Sequence, residues 1–221
     1  MQTTERAQLA FHQKYRFWLL LVAAFIIHQI PLMSVPFKWL ESYFHEISHG
    51  IAALVTGGSI VQIQLFPNGA GLCTTRGGWA FVISFMGYAG ASIWGTLIYL
   101  LSSMHQRYAK VFSVGLVAII LTSIIFYVRD LLTLVITIIL LLIFALPFKF
   151  QKTAMLPTLL QVSGLLVLLN SLYSPTYLFA YQQQGDSAAL SSLTMVPEIV
   201  WVGCWLIIAL FCLFQLAKRG K

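Results

Sequence analysis

Phe44-His45-Glu46-Ile47-Ser48-His49-Gly50 sets two imidazoles four residues apart, with a carboxylate beside the first. On a helix, His45 and His49 lie on one face, one turn apart. Two neutral imidazoles at that spacing can bind a single Zn²⁺, and Glu46 is placed to take a proton from water activated there. The candidate chemistry is metal-assisted hydrolysis, with His45 and His49 as metal ligands and Glu46 as the catalytic base. Short H-E-x-x-H strings also occur on ordinary solvated helix faces. Here the flanks are Ser42-Tyr43-Phe44 and Ile51-Ala52-Ala53-Leu54-Val55. A Glu and two His inside so apolar a segment are costly at lipid depth and mark a functional site.

A catalytic zinc usually has three protein ligands and one position for water. Beyond His49 the donors are few: His105 at a basic segment end, Asp130, Asp186 and Glu198. Asp130 adjoins Arg129 between two apolar runs, which suits a salt-bridged turn or an intramembrane ion pair. Asp186 sits in Gly185-Asp186-Ser187, after an Asn170 to Pro175 stretch that breaks a span. Irregular backbone at membrane depth is tolerated where it is buried or lines a water-filled cavity, as a hydrolase requires. Asp186 is the favoured third ligand and Asp130 the alternative. Glu41, four residues before His45, reads as a helix-entry carboxylate at the interface or as a partner for that imidazole. His28 reads as a packed, hydrogen-bonded residue rather than a ligand.

These residues must be positioned by a membrane protein. The 221 residues are 59% hydrophobic and 9% charged, with a mean hydropathy of +0.87; a soluble domain carries about a quarter charged residues. The net charge of +7 comes from Lys and Arg gathered at segment ends, the pattern of headgroup anchors and not of nucleic-acid binding. Cys73, Cys204 and Cys212 are odd in number and form no disulfide or zinc-binding pattern. Seven apolar runs follow in order: 17–33, 39–55, 79–101, 111–128, 131–146, 155–172 and 197–216. The first is not shaped as a cleaved signal and is expected to remain as a span. Either it or the pair around Arg129 is short for a full crossing.

Pro31 and Pro36 mark the turn into the zinc helix. Thr56-Gly57-Gly58 ends it. Residues 59–66 then alternate at period two, and 72–76 return after the turn Pro67-Asn68-Gly69-Ala70-Gly71, which predicts a β-hairpin. Its exposed edge either offers an extended peptide a place to add as a strand or belongs to a purely structural hairpin tucked against the helix ends. Gly87, Gly90 and Gly95, with neighbouring small residues, predict a helix packed closely on the zinc helix. The expected fold is an all-α polytopic membrane protein of about six to seven transmembrane helices, with a small β-hairpin after the zinc-binding helix. It forms one domain over 1–221, with a polar N-terminal segment (1–16), the hairpin loop (57–78) and a polar loop (173–196).

His45-Glu46-x-x-His49-Gly50, Thr56-Gly57-Gly58, the Gly-rich hairpin and the Gly87-Tyr88-Ala89-Gly90 span resemble the M50B-like branch of the M50, or site-2 protease, metallopeptidases. The resemblance runs from about Phe44 onward and is strongest over 44–95. It implies an intramembrane protease with one catalytic Zn²⁺, the third ligand being an aspartate from an N-P-D-G or L-D-G motif on a later span. No intact N-P-D-G is present; Asn170, Pro175 and Gly185-Asp186-Ser187 form a stretched version of it. Asn170 is accordingly the candidate substrate-binding residue. The function expected is cleavage of transmembrane or membrane-associated protein substrates, in the cell (plasma or inner) membrane. The alternative is a non-catalytic membrane scaffold or binding protein on the same fold, with structural zinc or none.

Overall fold

The computed structural model describes residues 2–104, 106–145, 155–179 and 184–219. His105 and the basic stretch 148–152 lie outside them. Eight α-helices and one hairpin follow in order: α1 (Gln2–Gln29), α2 (Pro31–Val55), β1 (Ser59–Leu65), β2 (Gly71–Arg76), α3 (Ala80–Met104), α4 (Gln106–Phe126), α5 (Leu131–Ala145), α6 (Met155–Tyr173), α7 (Gly185–Thr194) and α8 (Glu198–Arg219). A 3-10 turn, Ser174–Phe179, continues from α6.

The span count differs from the expected six to seven. Among the described residues four helices are long and apolar enough to cross a membrane: α3, α4, α6 with its 3-10 extension, and α8. A fifth crossing arises only if α1 and α2 together form one broken span, because they bend by 105° at their junction. The bend has a local cause. Proline disfavours helical backbone in the residue before it, and Ile30, before Pro31, is extended at φ −94°, ψ 107°. The helix thus starts at Pro31 and carries Pro36 within it, eight residues ahead of the apolar run that announced it. Helix α5 has 15 residues, about 22 Å at 1.5 Å per residue, short of a typical hydrocarbon core of about 30 Å.

Helix α6 is the axis of the bundle; Leu165, Leu166, Val167 and Leu168 are all fully buried. Against it lies α3, with the backbones in direct contact. A Cβ on Gly164 would fall 2.7 Å from the Gly95 carbonyl oxygen and 2.8 Å from the Tyr99 amide nitrogen. Helix α3 therefore serves two neighbours: its Gly87 and Gly90 face α2, and its Gly95 faces α6. Arg16 on α1 reaches α6, its guanidinium donating to Gln161 Oε1 and Thr158 Oγ1, each at 3.0 Å.

The hairpin forms as its alternation predicts, antiparallel, with an irregularity between Ile60 and Gln62. Residues Ile63 and Leu65 of β1 are buried. The second edge of β1 is occupied: Ile63 N–H donates to Tyr127 O (3.0 Å) and Leu65 N–H to Thr133 Oγ1 (2.9 Å). The α4–α5 connection is thus docked on the hairpin. Within it Arg129 and Asp130 do not pair. Arg129 donates to the carbonyls of Val128 and Phe126, and Asp130 Oδ1 accepts the Thr133 N–H at 2.8 Å, capping α5.

Gly164→Ala is expected to destabilise the protein by about 1–3 kcal/mol through overpacking, lowering its melting temperature by roughly 2–10 °C. Gly203→Ala, where an added Cβ meets nothing within 4 Å, should leave it unchanged or raise it. Thermal unfolding of the two variants in one detergent is the check.

Candidate metal centre

His45 and His49 project from α2 toward α7 as their spacing requires. Between them and α7 the donors converge: His45 Nε2 to Asp186 Oδ2 is 3.0 Å, His49 Nε2 to Asp186 Oδ2 is 3.3 Å, and the two Nε2 atoms are 2.9 Å apart. Asp186 lies 137 residues beyond His49 and reaches the site because α7 begins beside it. Gly185, at φ 75°, makes the left-handed turn into that helix, a conformation glycine adopts without steric cost. Ser187 then donates to Glu198 Oε2 at 2.8 Å, pinning α7 to the start of α8. Asp130, the alternative ligand, caps α5 and is not in the cluster.

The donor set fits a single Zn²⁺. Tetrahedral ligands at bond lengths of about 2.0–2.1 Å stand roughly 3.3 Å apart, close to the three separations here. The tautomer of His49 also fits. Its Nδ1 faces the Ile83 carbonyl oxygen at 2.6 Å and so donates its proton there, which leaves an Nε2 lone pair aimed into the cluster. Room for an ion is preserved by α3: a Cβ on Gly87 would lie 2.5 Å from His49 Cε1, 2.6 Å from His49 Nε2 and 2.7 Å from His45 Cε1. The Tyr88 ring, next along, packs edge-on against His45 with centroids 4.3 Å apart and is backed by Trp205 at 4.7 Å.

The side chains of His45, His49 and Asp186 are 13%, 9% and 18% exposed. Burial acts to raise the Asp186 carboxyl; in the metal-free site, protonated imidazoles outweigh it and hold the group below the usual carboxylate range. Cys73 on β2 is also close by. Burial, and then the charge of Glu46, push its thiol up to about 12.

A cavity of about 720 Å³ opens beside the cluster. Glu46 lines it and is itself buried. Residues Gly71, Leu72 and Cys73 of β2 form another wall. The strand edge beside the cluster is therefore that of β2, whereas β1 is engaged on both sides. Glu41 is not at an interface with solvent: it is 4% exposed, lines the cavity and accepts a hydrogen bond from Ser174 Oγ at 3.0 Å. Asn170 is buried and donates through Nδ2 to Leu166 O of its own helix at 2.9 Å; it is not among the cavity-lining residues. His28 stacks on Tyr173 with centroids 4.7 Å apart, also away from the cavity wall.

A family model described as Peptidase M50B-like matches residues 18–216 of the chain. No curated protein and no solved structure gives a significant match.

Gly87→Ala should lower zinc affinity at least tenfold, because its methyl group occupies space against both imidazoles. Competition for zinc with a chromophoric chelator measures this. Gly115→Ala on α4, where an added Cβ meets nothing within 4 Å, should bind zinc as the wild type does.

Proposed function

The chain belongs to the Peptidase M50B-like family, and from that premise we propose that it is an intramembrane zinc endopeptidase acting on membrane-embedded or membrane-associated proteins. The observation that carries this reading is the convergence of His45 Nε2, His49 Nε2 and Asp186 Oδ2 next to a buried Glu46 in a cavity large enough for a peptide segment. These three residues would hold one Zn²⁺, which when bound supplies Lewis acidity.

The chain's own groups do the rest. The Glu46 carboxylate takes the proton of the attacking water and passes it to the departing amine. Its burial excludes bulk solvent from that transfer. An extended substrate segment would add to the cavity-facing edge of β2 at Gly71–Cys73, its backbone satisfied by the strand while it is unwound from helix. The Lys and Arg residues at segment ends hold the bundle in the bilayer, and the membrane proposed is the cell membrane. A scaffold with structural zinc would call for a fourth protein ligand. The cluster has three among the described residues, and neither His28 nor Glu41 joins it, which supports the catalytic reading.

Glu46→Gln should keep zinc and lower cleavage at least 10²-fold. The assay is accumulation of cut product from a reporter transmembrane segment co-reconstituted in liposomes, with metal content measured on the same samples. Cleavage at wild-type rate by the variant would remove Glu46 as the base.

A further inference from the structure

Besides Asp186 and Glu46, the cavity wall holds one more carboxyl side chain among the described residues, Glu41, and it has no role in hydrolysis. Glu41 Oε2 accepts the Ser174 Oγ–H bond, while Oε1 is buried with no hydrogen-bond partner. Among the described residues no Lys or Arg pairs with it, and none lines the cavity. A carboxylate removed from water is costly unless it is matched by a donor or a cation.

Charge bookkeeping shows that the metal site does not supply the match. Two neutral imidazoles and the Asp186 carboxylate leave a bound dication with a net charge of +1, and ionised Glu46 brings that to zero. When ionised, Glu41 adds a negative charge on the cavity wall that none of these groups matches, so a cation brought by a ligand would stabilise its charged form. Glu41 precedes His45 by four residues, so it stands on the same face of α2, about one turn or 5–6 Å along the helix. That is the reach of a group flanking a peptide bond held at the metal donors. Ser174, the first residue of the 3-10 turn after α6, holds the carboxylate through its hydroxyl.

We propose that Glu41 is a recognition subsite for a cationic group of the bound peptide, an ammonium or guanidinium next to the cleaved bond. The inference rests on the peptidase reading of the cavity and names its substrate preference. Two sources share this chemistry: a basic side chain and a free peptide N-terminus.

The test uses the full-length, zinc-loaded protein in detergent micelles. The probes are lysine hydroxamate and norleucine hydroxamate, which share a metal-binding group and differ by the side-chain ammonium, together with the N-acetylated form of each. Lysine hydroxamate should bind the wild type about tenfold or more tighter than norleucine hydroxamate, the range of a charge-assisted hydrogen bond. Acetylation should leave that ratio in place if a side chain is the source. A loss of affinity on acetylation, with no lysine preference, assigns the subsite to the N-terminus. In Glu41→Gln, which keeps its volume and an acceptor for Ser174, either preference should fall to within twofold of unity. Glu41→Asp, which keeps the charge, should retain part of it and guards against a folding defect in the first variant. Equal affinities for charged and neutral probes in the wild type, or an undiminished preference in Glu41→Gln, overturn the inference. Failure of every hydroxamate to bind the zinc-loaded wild type overturns the open position at the metal and the peptidase reading with it, and so the subsite.

Discussion

Three electron-pair donors, two imidazole nitrogens and a carboxylate oxygen, stand 2.9–3.3 Å from one another in a largely buried site. Lone pairs so close repel unless a cation or a shared proton lies among them, and low polarity around them makes that repulsion stronger. Much of the architecture reads as the means of holding this arrangement. Helix α2 supplies the two nitrogens at helical spacing. The Ile83 carbonyl fixes one imidazole's tautomer. Gly87 lets α3 come close enough to enclose both rings without filling the space between them. The Gly185 turn and the Ser187–Glu198 hydrogen bond deliver and fix the carboxylate.

Because the site is assembled from parts distant in sequence, its integrity depends on how helices meet. Two crossings dominate, α3 with α2 and α3 with α6, and both are made by glycines. In a bilayer there is no hydrophobic drive between helices, so close backbone approach and its dispersion energy carry the association. The hairpin adds a second constraint. With β1 docked on the α4–α5 connection, β2 is left as the strand that lines the cavity.

Much of this was legible in the residues. The H-E-x-x-H spacing dictates the geometry of His45 and His49 whatever surrounds them, and the period-two alternation over 59–66 is a strand signal that tertiary context had no reason to override. Glycine spacing announced the close packing of α3. Other features were not legible, each for a physical reason. The broken stretch ahead of Asp186 favoured it over Asp130, but helix α7, whose first turn carries it to the imidazoles, lies in a polar stretch with no apolar periodicity to announce it. The 105° bend between α1 and α2 separates two apolar runs that the sequence presents as successive spans, and composition is blind to bending. Glu41 read as an interfacial carboxylate because spacing along α2 shows which residues share a face, not whether that face is covered. Asn170 is the candidate substrate-binding residue from a motif match, and its amide donates within its own helix.

The most direct test is the zinc content per chain of purified wild type, Asp186→Ala and Asp130→Ala, prepared in parallel. We expect about one zinc in the wild type and in Asp130→Ala, and a large loss in Asp186→Ala, since two ligands alone hold a catalytic zinc poorly. Zinc retained by Asp186→Ala and lost by Asp130→Ala would contradict the metal centre described here. A wild type that binds no zinc under gentle purification or on adding the metal back would contradict its catalytic role.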